Sequence, residues 1–246
     1  LSMAACMAAS VTACGGSKPA ETTAAATEAE TTAAESAAEE SSAEETKAAA
    51  DIETVTPGKL TVATSPDFAP YEFYAIGEDG TPKLAGFDMD LAQYIADYLG
   101  LELEVVTVDF DGVISELQTK SVDLGMAGLS PDEKRMGIMD FSDLYYMGGQ
   151  SLVTVKDNAE KYNSFEAINK PDVSVGAQVG SIQMDLANEN SPEADIVGLP
   201  KVTDIISELL TGKMDAAYIE TDVAKSYQKN YPELTLVMDV PYDAEG

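Results

Sequence analysis

The nine residues Ala127-Gly128-Leu129-Ser130-Pro131-Asp132-Glu133-Lys134-Arg135 gather groups suited to holding a carboxylate. Ser130 and Glu133 have the S-x-x-E spacing of a capping box, and Pro131 suits the first helical position. A helix starting there offers free N–H groups and positive partial charge. Arg135 adds a guanidinium able to grip a carboxylate with two parallel hydrogen bonds. A second candidate is Gly176-Ala177-Gln178-Val179-Gly180-Ser181-Ile182-Gln183, where glycine joins a strand to a helix and Ser181 is placed as N-cap. It lacks the Lys of a G-x-x-x-x-G-K-[ST] phosphate loop. Taken alone, each segment is also an ordinary capped helix, and Phe68, Phe110 and Tyr145-Tyr146 are ordinary core aromatics. Asp88-Met89-Asp90 reads as helix capping, because the glycine and glutamate of a calcium loop are missing downstream.

Composition removes several chemistries. The 246 residues contain no His, so mechanisms that rely on imidazole as base or metal ligand are excluded. With 44 acids against 14 bases the formal net charge is −30, which argues against nucleic acid as a partner. No cofactor motif occurs, nor G-x-S-x-G, C-x-x-C or H-E-x-x-H. The two cysteines, Cys6 and Cys14, both fall in the first fourteen residues, so the body has no thiol to oxidise.

Residues 1–13 are small and apolar, like the end of a secretory signal. Val11-Thr12-Ala13-Cys14 then resembles the lipobox of bacterial lipoproteins. That resemblance implies lipid modification at Cys14 and a membrane anchor without a membrane span. Residues 20–50 consist of 13 Ala, 8 Glu, 6 Thr, 3 Ser and 1 Lys, a composition that buries too little apolar surface to fold alone. Residues 14–56 therefore read as a tether.

From Gly58 onward β-rich runs alternate with helical patterns, which implies parallel strands joined by crossover helices. The expected strands are Lys59–Ala63, Leu103–Val108, Val122–Ala127, Val173–Gly176, Asp195–Val197 and Ala216–Ile219. The expected helices are Phe87–Leu99 (N-cap Asp88, stop at Gly100), Gly112–Thr119, Ile182–Asn188, Thr203–Leu210 and Thr221–Lys229. Residues 114–123 and 206–215 match at six of ten positions at an offset of 92, which points to a repeated helix–turn–strand unit. The unit's strands would end at Gly128 and Glu220, also 92 apart, and ligands in open α/β sheets sit beyond such ends.

These pieces, LTVATSPDFAPYEF, GFDMDLAQYIADYLG, VDFDGVISELQTKSVDLGMAGLSPDEKR and MDFSDLYY, with VGAQVGSIQ and DAAYIE after them, resemble the polar amino-acid binding proteins of ABC importers. The resemblance implies an α/β, two-lobed type II periplasmic-binding-protein fold, a Venus flytrap, with lobe 1 at 57–152 and lobe 2 at 153–238. Residues 239–246 would begin the return to lobe 1, so the family's C-terminal part would be missing. It implies a monomeric protein on the extracytoplasmic face of the membrane. There it would bind an L-amino acid, basic or polar-neutral, and pass it to an ABC permease, with no catalysis, cofactor or metal. By position, Arg135, Ser130 and Ser181 would hold the ligand carboxylate, and the Gly128 carbonyl and Glu220 the ammonium. Phe68 and Phe110 would line the side-chain pocket and could sandwich a cation. The family usually has Asp where Glu220 stands, and often Asp where Ser65 stands in members that bind cations. An enzyme on the same fold, resembling prephenate or arogenate dehydratases, and a sensory binding module are the rival classes.

Overall fold

The structure, a computed structural model, describes residues 52–242. In the first lobe β1 (Lys59–Thr64) lies between β5 (Glu102–Thr107) and β6 (Leu124–Gly125), parallel to both, with Val62 opposite Val105 and Leu124. The strand is buried on both faces because helices cover both. Leu60 and Val62 meet Ala92 and Ala96 of α1 (Phe87–Leu99), while Ala63 meets Phe110 and Val113 of α2 (Phe110–Gln118). Gly100 ends α1 in the left-handed region (φ 66°), as its position in the pattern predicts. A small antiparallel sheet of β2 (Asp67–Phe68), β3 (Glu72–Ile76) and β4 (Pro82–Ala85) projects from this lobe.

The second lobe is a five-stranded sheet. Its order is β11 (Leu234–Val240), β7 (Gln150–Val155), β10 (Ala216–Glu220), β8 (Ser174–Gln178), β9 (Asp195–Leu199). Strands β8, β9 and β10 run parallel, and β7 is antiparallel to both its neighbours. Helix α6 (Val202–Leu210) packs Val202, Ile205, Ile206 and Leu209 onto one face with α7 (Thr221–Asn230). On the other face Ile168 of the short helix α4 (Phe165–Ile168) and Leu186 and Ala187 of α5 (Ile182–Asn190) are buried beside Val175 and Tyr218. Strand β7 belongs wholly to this sheet, so lobe 2 starts three residues before the expected boundary at 153. β11 likewise stays in it as far as Val240.

The internal repeat is structural. Helices α2 and α6 begin at 110 and 202 and end at 118 and 210, and β6 and β10 begin at 124 and 216. In each unit the aspartate at the turn grips the neighbouring strand. Asp123 accepts from the Thr61 amide at 2.7 Å, and Asp215 accepts from the Ser174 amide at 3.0 Å. The strand expected over Val122–Ala127 shortens to Leu124–Gly125, because pairing with β1 covers only Val62 and Ala63.

Candidate functional site

Between the lobes lies a cavity of about 160 Å³, lined by Phe68, Phe110, Gly128, Ser130, Arg135 and Glu220 among others. Six of the seven residues expected to bind a ligand thus meet in one place. Its size matters, since a roughly 150 Å³ cavity in another protein takes up benzene; this one suits a small organic molecule rather than single waters. The seventh, Ser181, is buried but does not line it. Its hydroxyl donates to the Gln178 carbonyl at 2.7 Å and accepts from the Met184 amide, the N-cap role expected of it. Cys14 lies outside the described residues.

Lobe 1 contributes the cation. Arg135 is buried, and burial lowers its pKa from the usual value while the Asp132 carboxylate works against that. Its Nη1 donates to the Ser130 carbonyl at 2.8 Å and its Nη2 to the Gly180 carbonyl of lobe 2 at 3.0 Å; Nε lies 3.3 Å from Asp132. A guanidinium has five N–H groups, so one on each terminal nitrogen remains for a ligand. The capping box is corrected here. Asp132, not Ser130, caps the short helix α3 (Glu133–Met136), its Oδ1 accepting from the Arg135 amide at 2.8 Å. Asp caps as well as Ser and lies three residues before the amide it serves, which leaves the Ser130 carbonyl for the arginine.

Lobe 2 contributes the anion. Glu220 ends β10 and caps α7, with Oε2 accepting from the Val223 amide at 2.8 Å. Its Oε1 is buried with no hydrogen-bond partner among the described residues. Burial is the largest cause raising the Glu220 pKa. Gly148 makes room for this carboxyl, since a Cβ there would fall 2.7 Å from Oε1. Gly128 holds a left-handed φ of 57°, and a Cβ on it would meet the Phe68 ring at 2.9 Å.

The aromatics are partly occupied. Arg135 sits over one face of Phe110, 5.8 Å from its centroid, and Phe68 stacks on Tyr71 at 5.7 Å. A ligand cation held between Phe68 and Phe110 would have to use their remaining faces. Tyr145 and Tyr146 are 44% and 46% exposed at the cavity wall rather than core.

Asp88 does not cap α1. Gly86 stands at that position, and the Phe87 and Asp88 amides are taken by the Pro70 and Tyr71 carbonyls. The Asp88 carboxylate turns inward, accepting from the Gly128 amide at 3.1 Å and the Tyr145 hydroxyl at 3.0 Å. Beside it Glu72 is wholly buried, with neither oxygen partnered among the described residues. Burial, then the Asp88 and Asp67 charges, push Glu72 well above the ordinary carboxyl range. Glu72, Tyr71 and Gln150 escape a reading by motif, Asp88 reads only as a cap, and Gln183 falls in the second candidate segment without a role of its own. Only the Gly148-Gly149 pair before β7 gives a sequence signal of close packing there. Among the described residues no cluster of metal-ligating side chains occurs, and no helix is long and apolar enough to cross a membrane.

Two lobes that place a buried cation and a buried anion at a shared cavity define a protein built to enclose a small solute. Residues 60–234 match the family described as bacterial extracellular solute-binding proteins, family 3, and the chain belongs to that family. It is 35% identical over 178 residues to the arginine-binding extracellular protein ArtP of Bacillus subtilis (strain 168), covering 72% of this chain and 66% of that protein's length. It is 29% identical over 180 residues to the cyclohexadienyl dehydratase of Pseudomonas aeruginosa, covering 73% of this chain and 66% of that one. Among solved structures, the amino acid ABC transporter substrate-binding protein AbpA from Streptococcus pneumoniae, bound to L-arginine, superposes with a TM-score of 0.70. It is 37% identical, covering 73% of this chain and 75% of that chain. The type II periplasmic-binding-protein fold is thereby established.

Proposed function

We propose that this protein captures an L-amino acid between its lobes and delivers it to an ABC importer permease. The observation that carries the reading is the division of charge: Arg135 on lobe 1 and Glu220 on lobe 2, whose Oε1 has no partner among the described residues, face one cavity. A zwitterion satisfies both at once, whereas each buried charge alone bears a desolvation cost. Arg135 and the N-terminus of α5, the helix that Ser181 caps, would take the carboxylate, supported by Ser130. Glu220 and the Gly128 carbonyl would take the ammonium. The ligand side chain is basic or polar-neutral; the relative and the structure named for arginine favour L-arginine as the first candidate. Lipid attachment at Cys14, an extracytoplasmic site on the membrane and a monomeric state complete the proposal.

A thermal-shift screen of the twenty amino acids tests it. Ligand at 100 times its dissociation constant adds about 2.7 kcal/mol of stability, about 5–11 °C for a protein of this size. Aspartate or glutamate giving the largest shift overturns the ligand class. The dehydratase relative supplies the rival reading. Turnover of prephenate or arogenate by the purified protein would establish it; the proposal expects none.

A further inference from the structure

We propose that Asp67 is a latch between the lobes, a lobe 1 carboxylate that caps α6 of lobe 2 and sets how long a bound solute is retained. The second half of this statement rests on the amino-acid reading above; the first half does not. Helix α6 has Lys201 at its N-cap position, and among the described residues no side chain of its own lobe caps it. The Val202 amide instead donates to Asp67 Oδ2 at 2.6 Å, across 135 residues of chain. Gln178 Nε2, at the end of β8, reaches the same oxygen at 3.3 Å, and the Tyr227 hydroxyl donates to the Asp67 carbonyl at 2.8 Å. On its own lobe the Ser65 hydroxyl holds Oδ1 at 2.9 Å. Asp67 is 8% exposed, and the adjoining Phe68 and Tyr71 pack with Val202 and Ile205 of the second lobe. Three lobe 2 donors therefore converge on one lobe 1 residue, outside the charges that would meet the ligand.

The repeat shows that the arrangement is not a general requirement of the unit. Helix α2, the counterpart of α6, has Asp109 at its N-cap position with no side-chain bond, and among the described residues none of the other lobe replaces it. Lys201 and Asp109, the two equivalent N-caps, add an exposed ion pair across the cleft at 3.6 Å, a contact of little energy. A contact between the lobes must break before the cleft opens and takes no part in the encounter of a solute with an open cleft, so it slows release and leaves capture unaffected. Its loss therefore raises the dissociation rate while the association rate stays put.

Two variants of the full chain test the latch. Asp67→Ala removes the acceptor. Val202→Pro removes the donor at a position where proline is tolerated, preceded by Lys201 in the extended conformation proline requires (φ −127°, ψ 139°). Without ligand, Asp67→Ala should speed hydrogen exchange at the Val202 amide about tenfold, the release expected when a capping bond of about 1.4 kcal/mol is lost. An unchanged exchange rate overturns the latch. With L-arginine as probe, each variant should raise the dissociation rate about tenfold with association within twofold. The double variant should match Asp67→Ala, because removing the acceptor already removes the bond that Val202→Pro deletes. Additive effects, or equal changes in both rates, also overturn it. If the unaltered protein binds no L-arginine, the ligand reading fails while the exchange measurement still decides the latch.

Discussion

The two lobes carry the same helix–turn–strand unit and finish it differently. In lobe 1 the strand is two residues long, and the chain leaves it through Gly128 with φ 57°. In lobe 2 the strand is five buried residues, and Glu220 (φ −56°) passes straight into α7 as its cap. The first ending exposes backbone and sends the chain on to Arg135, a cation. The second presents a carboxylate held by the helix it caps. A common scaffold thus sets the two ends equivalently, while the residue at each end decides which charge it offers. Neither ending alone presents both charges.

Removing either charge should weaken binding most. Arg135→Ala should cost about 3–5 kcal/mol of binding, roughly two to three and a half decades in affinity for L-arginine. Arg135→Lys should recover part, because an ammonium cannot reproduce the two-pronged grip. Glu220→Gln should lose about 2–5 kcal/mol by the same reasoning. Calorimetric titration after circular dichroism shows a folded protein measures all three. A loss below fivefold for Arg135→Ala returns that residue to a purely structural role with Ser130 and Gly180.

Gly128→Ala tests the lobe 1 ending through stability. An alanine must adopt a left-handed backbone and push the Phe68 ring, costing about 1–2 kcal/mol for the conformation alone. The melting temperature should fall by about 2–8 °C. Glu220→Ala, at a backbone angle any residue accepts, should not show this conformational cost. Equal stability of Gly128→Ala and the unaltered protein would remove the geometric distinction between the two ends.

Behind Gly128 the lobes differ again, because lobe 1 buries the carboxyl pair Glu72 and Asp88. Both have raised pKa values, chiefly through burial. The folded state therefore keeps protons that the unfolded chain releases near pH 4.3, the ordinary glutamate value being about that. Their contribution to stability is full below that pH and is lost as pH rises through the folded-state values. Glu72→Gln, always neutral, should flatten this part of the dependence of melting temperature on pH. An unchanged profile would place the proton elsewhere.

Much of this was legible in the residues, and the omissions have physical reasons. Helix α1 announces itself by Leu91 and Ile95 on one face and by Gly100 past its end, signals that are local. The 92-residue repeat places two equivalent strand ends, and that is a long-range signal carried by identity. Strand β7 has no such signal. Both its faces are buried, so it shows no alternation, and its partners β10 and β11 lie about 60 and 80 residues away. Asp67 and Glu72 belong to no motif in so acidic a chain, and Asp88 reads as a helix cap. Asp67 meets its partner at 202 and Asp88 at 128 and 145, distances in sequence that no spacing rule reaches. Ser130 misleads because two good caps stand two residues apart, and the position of the Arg135 amide selects Asp132.

The smallest effect separates neighbours on one short helix. Lys134 and Arg135 both reach from lobe 1 to lobe 2, the first to Asp185 at 3.3 Å and the second to Gly180. Their surroundings differ: the Lys134 and Asp185 side chains are 82% and 64% exposed, against 8% for Arg135. An ion pair in water gains little, because solvent and salt screen it and two long side chains must be ordered. Lys134→Ala should therefore weaken L-arginine binding by about 0–1 kcal/mol, at most about fivefold, and the difference should vanish in roughly 1 M salt, where the Debye length is about 3 Å. Arg135→Ala should keep its deficit at that salt concentration, since its contacts lie away from solvent. If both variants respond to salt alike, burial does not distinguish the two cations, and the cleft is wetter than its geometry implies.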